Sequence, residues 1–353
     1  GAAAYSGVDG DDLLPMWVAD MDFRAPEAVT TALQAEVSRG VYGYFDGGTS
    51  TRDAVCMWMK DKHGWAVEPD WIQFSNGVVH GLSVTLEAFT DPGDGIIVFT
   101  PVYHAFARKI NAKGRVVVES PMATENGRYR MDLDGLTQNL TGKERMVILC
   151  SPHNPGGVIW TAEEIRAVAD FCAAHDLILV SDEIHMDLTF PGHSHNVTAV
   201  VAPEATPRLI TLSAASKGFN IAGGETAFII IEDPALRAKM ARAQASHGGS
   251  PNRFGMLMLE AAFRGGGDWS RDVREYIAGN FRLFQDGLNA IPGISVMDMD
   301  ATYLAWVDFS DTGMSLQEFS DRVQQQAHII INQGPAFGSG GETFLRFNSA
   351  TRR

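Results

Sequence analysis

Residues 146–157 read Met-Val-Ile-Leu-Cys-Ser-Pro-His-Asn-Pro-Gly-Gly, an apolar run that ends in a turn rich in proline and glycine. Consecutive apolar residues followed by turn residues are typical of a strand that is buried on both faces of a parallel sheet. Four further runs share this short length and these turn or polar boundaries: Ile96–Phe99, Val116–Val118, Leu177–Val180 and Leu209–Leu212.

Helical patterns lie between these apolar runs. The clearest extends from Thr161 to Ala174, where Thr161 and Glu164 have the spacing of a capping box. Because helices regularly separate the strands, the sequence predicts an α/β fold with a mostly parallel, doubly wound sheet.

The C-terminal part of the chain has a different pattern. A helix is predicted from about Trp269 to Ala290, and the runs Ile294–Val296 and Tyr303–Val307 are typical of antiparallel strands. We therefore expect a large domain and a smaller α+β domain that is truncated at its C-terminal end. The expected large domain spans residues 41–268, and the small domain combines residues 1–40 with 269–353.

The composition argues against several classes of protein. The net charge of −15, without a cluster of lysine and arginine, excludes nucleic-acid binding. No run approaches the roughly 18 apolar residues of a membrane span. Cys56, Cys150 and Cys172 are scattered, which indicates reduced thiols, and no secretory signal pattern is present, so we expect a cytoplasmic protein. His193 and His195 have no third ligand at a suitable spacing, so we expect no metal site.

Three polar side chains follow neighbouring strands of the predicted sheet. Asn154, Asp182 and Lys217 come after the runs that end near residues 150, 181 and 212. Alone, each has an ordinary explanation as a turn residue, a helix cap and a surface lysine. Because ligands bind beyond the carboxyl ends of parallel strands, their occurrence together predicts a functional site at that edge.

This combination fits pyridoxal phosphate. The cofactor needs a lysine amine, a carboxylate against its pyridine nitrogen and a donor such as Asn near its phenolic oxygen. Its phosphate needs N–H groups at a helix start, which the turn at Ser75–Leu82 could supply, although an ordinary helix N-terminus is the alternative. Tyr103 could stack on the ring or be a core tyrosine, and His185 could be a core histidine.

Longer motifs then carry a resemblance that covers nearly the whole chain. The sequence resembles the fold-type I pyridoxal-phosphate enzymes of aminotransferase class I/II. Within them it is most similar to the MalY/PatB group of cystathionine β-lyases, or C–S lyases. The motifs that carry the resemblance are Leu14–Phe23, Tyr42–Tyr44, Ser151–Gly157, Ser181–His185, Ser216–Gly223 and Phe344–Asn348.

The resemblance implies roles in catalysis and in holding the ring. Lys217 would be the Schiff-base lysine and the base that moves protons. Asp182 would pair with the pyridine nitrogen. Asn154 and His185 would lie on the side of the phenolic oxygen, and Tyr103 would stack on the ring.

The resemblance also implies how the phosphate is held. Tyr44 would reach the phosphate of the neighbouring subunit, which implies a homodimer with shared active sites. The contacts within one chain would come from Gly77, Val78, Val79 and Ser216.

The resemblance further implies a substrate site for a small amino acid. Arg346 would bind the α-carboxylate through a bidentate pair. Trp17, Ala19 and Asn154 would line the rest of the substrate pocket.

Three departures from the group surround these positions. Gly218 stands where threonine is common, and Gly224-Glu225 replaces the usual Leu-Gln. His104-Ala105 follows Tyr103 where prolines are common. None of these departures removes a predicted catalytic group.

The resemblance implies β-elimination from an L-cysteine thioether, such as cystathionine, to give a thiol, pyruvate and ammonia. An aminotransferase is the alternative, because it would use the same residues but return the proton to the cofactor. A non-catalytic binding protein would be expected to have lost part of this residue set, which is complete in the sequence.

Overall fold

A computed structural model describes residues 13–45, 48–248 and 251–353. The first 12 residues, which we assigned to the small domain, lie outside this range. The strands within it are β1 Leu14–Pro15, β2 Ile72–Ser75, β3 Gly95–Thr100, β4 Val116–Pro121, β5 Ala123–Glu125, β6 Arg128–Arg130, β7 Glu144–Cys150, β8 Ile178–Asp182, β9 Leu209–Ser213, β10 Ala227–Ile230, β11 Ser295–Val296, β12 Leu304–Asp308, β13 Ile329–Ile330, β14 Asn332–Gln333 and β15 Phe344–Asn348.

The α-helices of the described residues cover the sheets and connect the strands. They are α1 Glu27–Arg39, α2 Thr49–His63, α3 Val78–Phe89, α4 Ala105–Ala112, α5 Leu133–Gln138, α6 Ala162–Ala174, α7 Thr198–Val201, α8 Ala215–Gly218, α9 Pro234–His247, α10 Arg253–Gly265, α11 Gly267–Asn289 and α12 Leu316–Asp321. None of the helices in this part of the chain is both long and apolar enough to cross a membrane.

The large sheet has the strand order β2-β10-β9-β8-β7-β3-β4. The ladders between β9, β8, β7, β3 and β4 are parallel, and β10 is antiparallel to both of its neighbours. The predicted α/β fold with a mostly parallel sheet is therefore confirmed. The four-residue strands β2 and β10 were not predicted.

Side chains of β7 alternate between two hydrophobic cores. Val147 and Leu149 face the core that contains Trp160, whereas Met146 and Ile148 face the opposite core. Burying an aliphatic side chain of this size contributes roughly 1.5–3 kcal/mol. The strand is therefore fixed from both sides, which explains its uninterrupted apolar sequence.

A second sheet contains β11-β12-β15-β14 and is antiparallel throughout. Its strand β12 sends Trp306 into the core of the large sheet, where the indole N–H donates to the hydroxyl of Tyr129 at 2.8 Å. The predicted antiparallel strands are confirmed. The domain boundaries near residues 41 and 268 stay a prediction.

Helix α6 begins with the predicted capping box. The Glu164 N–H donates to Thr161 Oγ at 3.2 Å, and the Glu164 carboxylate accepts from the Thr161 N–H at 2.8 Å. The same carboxylate accepts hydrogen bonds from both NH₂ groups of the Arg128 guanidinium, at 2.7 and 2.8 Å. Glu164 therefore joins the start of the helix to strand β6.

We expect Glu164→Gln to lower the free energy of unfolding by about 1–2 kcal/mol, because it weakens a cap and a bidentate ion pair. Urea denaturation measures this change. Glu163→Gln is the matched control: its side chain is 82% exposed, and we expect less than about 0.5 kcal/mol. Equal losses in both variants would contradict the assigned role of Glu164.

Candidate active site

A cavity of about 310 Å³ lies at the carboxyl ends of the parallel strands, and we call it the Lys217 cavity. It brings together nine of the predicted site residues. They are Ala19, Gly77, Val78, Val79, Tyr103, Asn154, Asp182, His185 and Lys217. The parallel register explains this, because Cys150 lies opposite Asp182 and Asp182 opposite Leu212.

Lys217 lies on the short helix α8, which directly follows strand β9. Its side chain is half-buried, and its Nζ donates to the backbone carbonyl of Ala19 at 2.6 Å. Burial, and then the positive charge of Arg346, lower the pKa of Lys217 from 10.5 to about 8, against the opposing effect of Asp20 and Asp182. The neutral fraction of this amine near physiological pH is therefore far larger than that of an ordinary lysine, although the protonated form still predominates.

The segment that carries Ala19 is held by two asparagines. Asn348 donates through Nδ2 to the carbonyls of Val18 and Asp20, at 2.7 and 2.6 Å. Asn220 exchanges hydrogen bonds with the backbone of Met21, donating at 2.8 Å and accepting at 3.0 Å. This segment therefore covers Lys217 in a defined position.

Asp182 ends strand β8 and is buried. Its Oδ1 accepts from the Ile184 N–H at 3.2 Å. Burial raises the pKa of Asp182 to about 7, since desolvation outweighs this hydrogen bond and the nearby Lys217. A cationic ligand against Asp182 would favour the ionised carboxylate.

His185 follows Asp182 on the wall of the cavity and is also buried. Burial, with the charges of Lys217 and Arg346, lowers the pKa of His185 to about 3, so its imidazole is neutral. Its Nδ1 has no hydrogen-bond partner in the described part of the chain. A buried polar atom without a partner on a cavity wall indicates room for a ligand.

Asn154 is held rigidly in the turn after β7. The Trp160 indole N–H donates to the Cys150 carbonyl at 2.9 Å, which fixes the end of that strand. A side chain at Gly156 would approach Tyr129 to 2.6 Å, so this turn requires glycine there. Asn154 Oδ1 accepts from Nη1 of Arg346 at 3.2 Å.

Arg346 is buried on strand β15, behind the Lys217 cavity rather than on its wall. Its Nη2 donates to the Trp17 carbonyl at 2.8 Å and to Asn332 Oδ1 at 2.7 Å. Its guanidinium also lies 5.0 Å from the centre of the Phe337 ring. These contacts therefore fix the orientation of the guanidinium.

The N-terminus of α3 forms another wall of the cavity. Gly77 caps the helix with a φ of 85°, a backbone conformation that favours glycine. The Gly77 N–H donates to the Ser75 carbonyl at 2.9 Å. Val78 and Val79 begin the first turn, where N–H groups have no acceptor within the helix. These two residues therefore offer the N–H groups for an anion.

Tyr103 lies on the cavity wall, half-buried and packed edge-on against Phe106 and His104. Burial raises the pKa of the Tyr103 phenol, so the hydroxyl keeps its proton at neutral pH. The structure thus places the Tyr103 ring on the wall of the Lys217 cavity, and its stacking on a cofactor stays a prediction.

Three further predicted site residues do not line the cavity. Trp17 contributes its backbone carbonyl to Arg346, and Ser216 accepts a backbone hydrogen bond from Ile221. Tyr44 is fully exposed and lines a second cavity of about 330 Å³. Asn76 lines both cavities, so the two are adjacent.

Sequence reasoning assigned no role to several residues of the site. Asn220 and Asn348 lie within quoted motifs, but only the fold shows that they hold the segment over Lys217. The cavity wall also includes Cys150, Ile184, Ala222 and Glu225. Among these four residues, only Glu225 departs in the sequence from the residues usual in the group.

Comparisons with known proteins agree with this geometry. The model of the family "Aminotransferase class I and II" matches residues 12–352. The chain belongs to this family. The resemblance that the motifs carried is therefore confirmed.

Members of the aminotransferase class I and II family are similar to this chain over most of its length. Cystathionine beta-lyase PatB of Bacillus subtilis is 40% identical, over 96% of this chain and 88% of the relative. Protein MalY of Escherichia coli is 28% identical, over 97% of this chain and 88% of the relative. The structure of cystalysin from Treponema denticola, which contains pyridoxal 5′-phosphate, has a TM-score of 0.95 at 32% identity and covers 99% of this chain and 90% of that one.

In the cofactor-free protein, we expect the amine of Lys217 to titrate near pH 8. Only a neutral amine is acetylated, so labelling should rise as pH increases through this value and then level off. Competitive labelling with acetic anhydride, read by peptide mass spectrometry against a free amine standard, measures the midpoint. A rate that keeps rising to the ordinary lysine value of 10.5 would contradict the desolvation argument.

Proposed function

We propose that this protein is a pyridoxal-phosphate-dependent carbon–sulfur β-lyase that cleaves an L-cysteine thioether. The observation that carries the proposal is the Lys217 cavity. Its wall contains a lysine of lowered pKa together with Asp182 and Asn154. The 40% identity to a protein named cystathionine beta-lyase supports the lyase over other reactions of the family.

The residues of the cavity fit pyridoxal phosphate. Buried Asp182, whose pKa is raised to about 7, would gain a cationic partner in a protonated pyridine nitrogen. The unpartnered Nδ1 of His185 and the Asn154 amide would lie towards the phenolic oxygen. The N–H groups of Val78 and Val79 would hold the phosphate.

When bound, the cofactor supplies an aldehyde that bonds amines and a ring that withdraws electrons from the adjacent carbon. Lys217 would bond the aldehyde in the resting enzyme and, once displaced by substrate, would remove the Cα proton through its neutral Nζ. Asp182 would keep the ring nitrogen protonated. In the overall reaction, the thioether and one water give thiol, pyruvate and ammonia.

Arg346 would bind the substrate α-carboxylate. In the structure its Nη1 donates to Asn154, and its Nη2 donates to the Trp17 carbonyl and to Asn332. A carboxylate would exchange with an existing acceptor, and the Trp17 carbonyl on the segment over Lys217 is the candidate. Binding would thereby connect substrate recognition to the position of the segment that contacts Lys217 Nζ.

Cleavage should proceed without a second substrate. With L-cystathionine and no 2-oxo acid, we expect the holoenzyme to release thiol and pyruvate steadily and in equal amounts. Lactate dehydrogenase coupling measures pyruvate, and a disulfide dye measures thiol. Lys217→Ala should lower the rate by at least about 100-fold, because it removes the proton acceptor.

Lys143→Ala, at an exposed lysine outside the cavity, is the matched control and should leave the rate unchanged. One 2-oxo acid per site without thiol would identify an aminotransferase instead. A Lys217→Ala variant with the wild-type rate would refute the role of this amine.

We also propose that the protein is a cytoplasmic homodimer in which Tyr44 reaches the phosphate of the neighbouring active site. Val37, Val41, Tyr42 and Tyr44 form an exposed apolar stretch. Such a stretch is typical of an interaction surface. The second cavity, which Tyr44 lines, is adjacent to the Lys217 cavity because Asn76 lines both. This adjacency supports a shared site.

Hybrid dimers test this arrangement. Tyr44→Ala and Lys217→Ala should each be weakly active alone. After unfolding and refolding together, about half of the dimers are mixed, and each mixed dimer keeps one intact site. We therefore expect about a quarter of the wild-type activity per dimer. No recovery, or a monomer by light scattering, would contradict Tyr44 acting across an interface.

A further inference from the structure

Glu225 places an acidic side chain on the wall of the Lys217 cavity. The residue is exposed, and its carboxylate forms no hydrogen bond or ion pair with the described residues. Neither the proposed chemistry nor the packing of the loop therefore uses this carboxylate. A carboxylate without a protein partner at a ligand site is expected to change the binding of a charged ligand.

The sheet register locates Glu225 opposite the start of helix α3. Strands β10 and β2 pair antiparallel with Ala227 opposite Ser75. Glu225 precedes Ala227 by two residues and Gly77 follows Ser75 by two, so both lie beyond the same end of this ladder. Since both residues also line the same cavity, Glu225 lies at the end where Val78 and Val79 offer N–H groups.

The loop around Glu225 is held in place. Its N–H donates to the Ala222 carbonyl at 3.1 Å, and its φ of 45° is left-handed. The preceding Gly224 carbonyl accepts from Asn252 Nδ2 at 2.9 Å and from Thr226 Oγ at 3.0 Å. The backbone at Glu225 is thus anchored on both sides, which fixes the point from which its side chain projects.

Compensating positive charge is scarce on this wall. Among the described lining residues, the side chains with a cationic form are Lys217 and His185. Lys217 is committed to the aldehyde in the proposed function, and His185 is neutral. The phosphate would therefore face helix N–H groups on one side and a carboxylate on the other.

We propose that Glu225 is a residue that weakens cofactor binding by repelling the phosphate, so that the cofactor is loaded reversibly. The inference rests on the proposed function, because it requires pyridoxal phosphate in the Lys217 cavity. Repulsion between like charges near a protein surface is strong enough to change a dissociation constant roughly tenfold.

The test compares Glu225→Gln with the wild type as cofactor-free proteins titrated with pyridoxal phosphate and followed by absorbance. We expect the variant to bind roughly tenfold more tightly at low salt, and the difference to shrink at high salt, which screens the repulsion. Glu225→Asn should behave alike, because Asn adopts left-handed backbone conformations readily.

Two controls isolate the phosphate. Pyridoxal forms the same bond to Lys217 but has no phosphate, so Glu225→Gln should not change its dissociation constant. Glu204→Gln removes an exposed carboxylate outside the cavity and should leave both constants unchanged.

Equal or weaker binding of pyridoxal phosphate by Glu225→Gln would overturn the inference while leaving the lyase proposal intact. An equal gain for pyridoxal would also overturn it, because the effect would not involve the phosphate. Wild-type protein that does not bind pyridoxal phosphate would overturn the inference and the proposed function together.

Discussion

The parallel alignment of β7, β8 and β9 is the constraint on which the site depends. Cys150, Asp182 and Leu212 end at matched positions in the register. The residues that follow must therefore leave the sheet at one edge, and they carry Asn154 and Lys217 with them. Because the strands are buried on both faces, a shift by one residue would move an entire apolar set to the wrong core.

The same burial sets the electrostatics of the site. Desolvation raises the pKa of Asp182 to about 7 and lowers that of Lys217 to about 8. Each shift moves its group towards the neutral form, so Asp182 and Lys217 carry less charge in the cofactor-free cavity than they would in water. A cofactor with a basic ring nitrogen and an aldehyde would suit both groups: the ring cation would favour the ionised form of Asp182, and the aldehyde would bond the neutral form of the Lys217 amine.

The sequence was enough to predict the five parallel strands of the large sheet and the polar residues that follow three of them, since both depend on local patterns. The runs near 146 and 209 have strand character, and polar residues follow each of them. Arg346 and Ala19 could be assigned only through resemblance, because strand β15 and the N-terminal segment reach the site by tertiary packing. Asn220 and Asn348 were missed for the same reason: their partners are backbone carbonyls more than 190 residues away.

The N-terminal segment shows how distant parts of the chain act on one amine. Ala19 accepts from Lys217, while the neighbouring Trp17 carbonyl accepts from Arg346. The segment therefore touches both the proposed base and the proposed carboxylate receptor, and Asn348 holds it from the strand that carries Arg346. A substrate carboxylate that replaces the Trp17 carbonyl would act on the backbone two residues from the acceptor of Lys217. In the proposed function, this short covalent path would connect substrate binding at Arg346 to the hydrogen bond between Lys217 and Ala19.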